Sequence, residues 1–231
     1  MSTTTFEGGP AIEPRAATEP SYLTSEMTIT SWLLTRDHKR IALLFMASVT
    51  FFFFVGGAAA TLMRLNLATP EGLLQPAVYN RMFTMHGIIM VWFFLIPSIP
   101  TTFGNFFIPM MIGARDLAFP RINLLSWYVF NLSGLVVLFA LVMGGADTGW
   151  TFYTPLSTVY ADGYVFAAAM AVFINGFSSI MTALNFVVTI HRMRAPGMTW
   201  MRLPLFVWGI YAVSIVMLTA TPVLAMDTFL L

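Results

Sequence analysis

Apolar residues run along this chain in five blocks, each long enough to cross a bilayer, which takes about 20 mostly apolar residues per helix. The blocks are Ile41 to Arg64, Met82 to Ile112, Leu124 to Met143, Val165 to Ile190 and Leu203 to Met226. They predict an all-α membrane protein, a bundle of five transmembrane helices over residues 31–231. Residues 1–30 are rich in Thr, Pro and Glu and lack an apolar stretch, which predicts a flexible polar tail and no cleavable signal peptide. The second block exceeds one crossing and holds Pro97, Pro100 and Pro109, so a tilted or kinked helix is expected there.

Composition agrees with the pattern. With 58% hydrophobic and 9% charged residues, the chain has too little charge to cover a soluble surface. Its basic residues are unevenly placed between the blocks. Arg36, Lys39, Arg40, Arg115, Arg121, Arg192, Arg194 and Arg202 fall on one side, and Arg64 and Arg81 on the other. By the positive-inside rule the amino terminus is cytoplasmic and residue 231 lies outside. The loop from Gly144 to Gly163 has two aspartates and no basic residue, in keeping with an outer loop.

Several chemistries drop out. A net charge of +1 gives no nucleic-acid footprint. The absence of Cys excludes disulfides, thiolate zinc sites and cysteine-held iron–sulfur clusters, so a metal here would use nitrogen, oxygen or thioether ligands. No Gly-rich phosphate loop precedes a helix. Of three histidines, His38 and His191 fall in cytoplasmic loops on this reading, which leaves no Ser-His-Asp arrangement.

His86 is the histidine inside an apolar block, where an imidazole must face protein or a cofactor. It is a candidate metal ligand or a histidine satisfied within the bundle. Arg64 closes the first block at the same outer level, either as a snorkelling anchor or as a cation beside a haem. Gly56-Gly57-Ala58-Ala59-Ala60 permits close approach by a neighbouring helix or a flat cofactor. At the opposite level, Asp116 lies between Arg115 and Arg121, as a solvated loop carboxylate or a proton collector. Asn105, Asn123 and Asn185, with Ser178 and Ser179, are interhelical glue or the lining of a water file.

Six stretches carry a resemblance: DHKRIALLF from Asp37, MHGIIMVWFFLIP from Met85, FGNFFIPMMIGARDLAFPRIN from Phe103, GWTFYTPLST from Gly149, SSIMTALNF from Ser178, and MRAPGM with LPLFVW from Met193. In order and spacing the chain resembles subunit I of the haem-copper respiratory oxidases, over the first five of that family's twelve helices. GARDLAFPRIN resembles the branch that takes up protons through an aspartate-headed channel.

The resemblance implies that His86 is the second-helix axial ligand of the low-spin haem, haem a as the expected type. Arg64 becomes the arginine at that haem's periphery, and Trp150 an outer-loop tryptophan near the haems. Asp116 becomes the carboxylate at the mouth of the proton channel, with Asn105, Asn123, Ser178, Ser179 and Asn185 lining it. The implied partners are the remaining helices of subunit I, subunits II and III, cytochrome c or a related donor, and the lipids of an energy-transducing inner membrane.

Two departures bear on this. Asn66 replaces a glutamate or glutamine beyond the helix-one arginine, which speaks against a small outer cation site. Val55, Ala59, Val78 and Arg81 occupy the places of a quinol pocket in quinol-oxidising relatives, which favours cytochrome c as donor. The sequence given reaches Leu231 before the family's sixth helix, so the high-spin haem, copper and second low-spin ligands are expected outside it. The expected function is cytochrome c oxidation coupled to proton pumping and reduction of dioxygen to water. The alternatives are a quinol-oxidising member and a haem-free proton or water conductor.

Overall fold

The computed structural model describes Tyr22 and residues 27–230, and among these all regular elements are helical. Most of the expected tail lies outside the described residues; its last part begins a short helix, Ile29–Leu33, capped by the Thr28 side chain on Ser31 N–H. Five helices are long and apolar enough to cross a membrane: His38–Asn66, Pro76–Ile112, Pro120–Val142, Val165–Arg192 and Leu205–Leu230. These are the five expected spans, here numbered first to fifth.

Most run past the apolar blocks because polar residues fill their terminal turns, where headgroups and water can satisfy them. The first span starts three residues before its block because Asp37 caps it, accepting from Lys39 N at 2.8 Å and Arg40 N at 3.1 Å. That cap corrects the placing of His38: it is the first residue of the helix and 4% exposed, so it does not belong to a loop. His191 likewise lies in the last turn of the fourth span. The second span begins at Pro76, whose missing N–H costs nothing at a helix start.

The three prolines act on the second span through carbonyls they leave without donors. The span widens into π-helical turns at Ile89–Leu95 and Ser98–Gly104 and returns to α-helix at Asn105–Ile112. In a π turn residue 97 would donate to the Trp92 carbonyl, but proline has no N–H. Asn175 of the fourth span fills the vacancy, donating Nδ2–H to Trp92 O at 2.8 Å. Pro100 stands in the same relation to Leu95 O, which takes the Ser98 hydroxyl at 3.0 Å. In the α-helical turn Pro109 frees Asn105 O, which accepts from His38 Nδ1 at 2.8 Å. Replacing Asn175 with alanine should therefore destabilise the bundle by about 1 kcal/mol. A lowered unfolding midpoint in detergent reads this out, and an unchanged midpoint would show that the carbonyl finds another donor.

The first span packs on the second and third, the third on the fourth, and the fourth on the fifth. One core gathers Phe45, Phe52, Phe93 and Phe130, with Phe52 lying 5.0 Å from Phe93 and 5.9 Å from Phe130 between ring centroids. Gly134 makes room for it, since a Cβ there would lie 2.3 Å from Phe52 Cζ. Of the run Phe51 to Phe54, Phe52 alone is buried, and Phe51, Phe53 and Phe54 face outward. A second core, with Ile108, Ile112, Phe186, Ile190 and Val207, closes the end of the bundle nearest Asp116.

Candidate haem and proton sites

His86 occupies the last α-helical turn before the second span widens, so its ring is set by the first span beside it. Its Nδ1 lies 2.8 Å from Gly56 O. A carbonyl can only accept, so Nδ1 carries the proton, and Nε2 is the nitrogen the ring can offer to a metal. Nε2 has no hydrogen-bond partner among the described residues.

The glycine pair separates two tasks. Gly56 is tightly packed, since a Cβ there would lie 2.7 Å from Met90 Sδ. Gly57, about 100° round the helix, has nothing within 4 Å of where its Cβ would be. Arg64 stands seven residues beyond Gly57, almost two turns, and so on the same face. It is exposed and makes no hydrogen bond or ion pair to a described residue. An imidazole nitrogen without a partner among the described residues, an open glycine face and a guanidinium on that face with no partner among the described residues fit a haem held by an axial histidine.

Trp150 lies at the mouth of this region and is 43% exposed. It packs on Gly87, the residue after His86, where a Cβ would lie 3.0 Å from Trp150 Cβ. The ring turns towards Trp92, 6.5 Å away between centroids, and both border a cavity of about 540 Å³. Gly87 escaped the sequence reading, although a glycine directly after the candidate ligand was the available signal. Asn66 is spoken for, its Oδ1 accepting from Leu73 N at 2.7 Å and Leu74 N at 2.6 Å.

At the opposite end, Asp116 is half-buried in the loop between the second and third spans, with Leu117 N donating to its Oδ1 at 2.7 Å. Burial pushes its carboxyl above the usual range; the Leu117 N–H and the charges of His38 and Arg115 pull it back, and Asp37 pushes it further. Deeper in, the amides divide. Asn105 donates to Thr101 O at 2.6 Å, but its Oδ1 is buried without a partner among the described residues. Asn123 is 1% exposed and neither polar atom of its amide has a partner among the described residues. Three unpaired buried polar atoms call for ordered water.

Asn185 behaves differently. It clamps the backbone of Phe119, accepting from its N at 2.9 Å and donating to its O at 3.1 Å, and thereby holds the loop that carries Asp116. Thr189, one helical turn on, accepts from Ala118 N at 2.9 Å. Ser178 donates to Ser126 O at 2.7 Å, facing the third span. Ser179, about 100° away, borders a cavity of about 180 Å³ with Trp92, Asn175 and Thr221. The adjacent serines thus serve different interfaces. His38 was missed as a member of this region; the preceding aspartate cap was the signal that placed it on a helix.

Arg64→Met removes the cation and leaves the helix intact. In the complete complex it should lower the low-spin haem midpoint potential by on the order of tens of millivolts and move the band to the blue. Redox titration followed by absorbance checks this, and an unchanged potential and spectrum would identify a snorkelling anchor.

Residues 40–231 match the family model described as Cytochrome C and Quinol oxidase polypeptide I. Cytochrome c oxidase subunit 1 of Thermostichus vulcanus is 42% identical over 196 residues, covering 84% of this chain and 36% of that protein. Heme-copper oxidase subunit I+III of Aeropyrum pernix is 42% identical over 207 residues, covering 87% of this chain and 25% of that protein. Cytochrome c oxidase subunit 1 of Synechocystis is 38% identical over 196 residues, covering 84% and 35%. The chain thus spans roughly a third or less of the length of the curated relatives it matches. Five membrane spans, the His86 environment and a family match over most of the chain lead to one assignment: the chain belongs to the haem-copper oxidase subunit I family.

Proposed function

We propose that this chain is the amino-terminal, five-helix part of subunit I of a proton-pumping terminal oxidase that oxidises cytochrome c and reduces dioxygen to water. The observation that carries the reading is the imidazole of His86, fixed through Nδ1–H on Gly56 O with Nε2 left to ligate. A low-spin haem, haem a in this reading, supplies one-electron transfer when bound there; the high-spin haem and copper belong to the rest of the subunit.

The chain's own residues have separate tasks. The Gly56 carbonyl fixes the tautomer and orientation of His86 and raises its basicity as a ligand. Arg64 holds a permanent positive charge beside the glycine face, and Trp150 walls the outer end. Asp116 gathers protons at the face rich in Arg, which the charge bias assigns to the cytoplasm. Asn105 and Asn123 hold waters that carry protons inward, while Asn185 and Thr189 keep the Asp116 loop in place. The fifth span exposes much of its apolar surface, including Val216 and Met226, which suits further helices of subunit I, subunits II and III, or lipid.

Cytochrome c is preferred to quinol as donor because Val55, Ala59 and Val78 offer no polar group, and Arg81 is paired with Asp162 at 3.1 Å. The test is a reduced-minus-oxidised spectrum of the purified complex, followed by turnover with reduced cytochrome c and with quinol. Low-spin haem bands and cytochrome c turnover are expected. A spectrum without haem bands would leave a haem-free proton conductor, and turnover with quinol alone would reassign the donor.

A further inference from the structure

The segment His191 to Pro204, HRMRAPGMTWMRLP, joins the fourth and fifth spans and contains Arg192, Arg194 and Arg202 with no acidic residue. Joining two membrane-length helices, it must sit at the membrane surface, on the same face as Asp116. It is also rigid. Trp200 is the centre of an aromatic box, 5.0 Å from the His191 ring, 5.2 Å from Tyr211 and 5.4 Å from Trp208 between centroids. His191 donates Nδ1–H to Val187 O at 3.0 Å, its Nε2 lies 3.3 Å from Tyr211 Oη, and Trp208 donates Nε1–H to Trp200 O at 3.2 Å. Ala195 N, bonded to Ile112 O at 2.9 Å, ties the segment to the end of the second span.

On this platform the Arg194 guanidinium stacks at 4.0 Å over the Trp200 ring. Stacking fixes its plane and uses none of its hydrogens; its Nη1 is buried, and Arg194 finds no acceptor among the described residues. Arg192 likewise has none, and Arg202 has a single carbonyl contact, Nη1 to Gly197 O at 3.3 Å. Beside these charges stand the most exposed apolar side chains of the region, Met201 at 94% and Leu205 at 87%. Cations without acceptors among the described residues, next to unburied apolar chains at the boundary of the bilayer, suit a partner that is anionic at one end and apolar at the other.

We propose that this segment binds an anionic phospholipid of the leaflet on the Arg-rich face. Arg202, and Arg194 through the N–H groups other than the buried Nη1, donate to its phosphate, with Arg192 adding charge, and its acyl chains lie along Met201, Leu205 and Trp208. Guanidinium forks match phosphate oxygens, and indoles and long apolar side chains are at home at the headgroup boundary.

The test uses the whole oxidase complex, stripped of lipid in detergent and titrated with phosphatidylglycerol or phosphatidylcholine, with bound lipid counted by native mass spectrometry. Wild type should take up phosphatidylglycerol in preference to phosphatidylcholine. Arg194→Gln with Arg202→Gln should weaken phosphatidylglycerol retention roughly tenfold, with haem content unchanged. Arg194→Lys with Arg202→Lys keeps the charge and loses the fork, and should fall between. Equal retention by wild type and the glutamine variant overturns the proposal, as does wild type that does not distinguish the two lipids. Competition by inorganic phosphate at the lipid's own concentration would identify a free-anion site instead. Should the glutamine variant fail to assemble, the lysine variant and the wild-type comparison decide.

Discussion

His86→Ala in the complete oxidase is expected to abolish the low-spin haem absorption bands. Alanine offers no ligating atom, and no second histidine lies at this end of the bundle, since His38 and His191 are both at the far end. The structural cost is separate and small. Gly56 O loses its side-chain partner, a loss of about 1 kcal/mol that leaves the helix–helix contact standing, because Met90 still packs on Gly56. The five-helix bundle should therefore assemble without the low-spin chromophore. A normal low-spin spectrum in the assembled variant would remove His86 as ligand.

Asp116→Asn is expected to leave haem content intact and to reduce turnover by about 10²-fold or more, the scale of a lost proton-transfer group. Asparagine keeps the acceptor for Leu117 N–H and removes the titrating proton. Stability should move the opposite way. Burial raises the Asp116 carboxyl above the ordinary aspartate value of about 3.8, so the folded protein binds a proton there more tightly than the unfolded chain does. Between that value and the raised folded one, this group's contribution to stability falls as pH rises, and above both the full cost of burying the charge is felt. The asparagine variant escapes the cost, so near neutral pH it should unfold no earlier than wild type. Slow turnover with undiminished stability distinguishes a proton collector from a structural carboxylate. Wild-type turnover in Asp116→Asn would mean a solvated loop residue.

How much of this was legible in the sequence varies from residue to residue. Pro97, Pro100 and Pro109 announced an irregular second span, because a missing N–H is a property of the residue itself. Which side chains take up the released carbonyls was not legible: Asn175 and His38 come from other helices, 83 and 67 positions away from the carbonyls they serve. His38 was misplaced because the apolar block begins after it, while the helix is started by the Asp37 cap. Asn185 reads as a channel amide in the sequence, and its hold on the Phe119 backbone was not legible there because it depends on where the loop backbone passes.

The sequence by itself determined the five spans, the sidedness of charge and the isolation of His86 in an apolar block, because lipid solvation and charge bias act on residues one at a time. Tertiary structure decided everything that depends on a partner. It fixed the His86 proton on Nδ1 through a carbonyl 30 residues away, and left the Asn123 amide and Asn105 Oδ1 without partners among the described residues. It also turned Ser178 and Ser179 to different interfaces. Hydrogen bonds between helices are set by crossing geometry and register, and these exist only once the helices have packed.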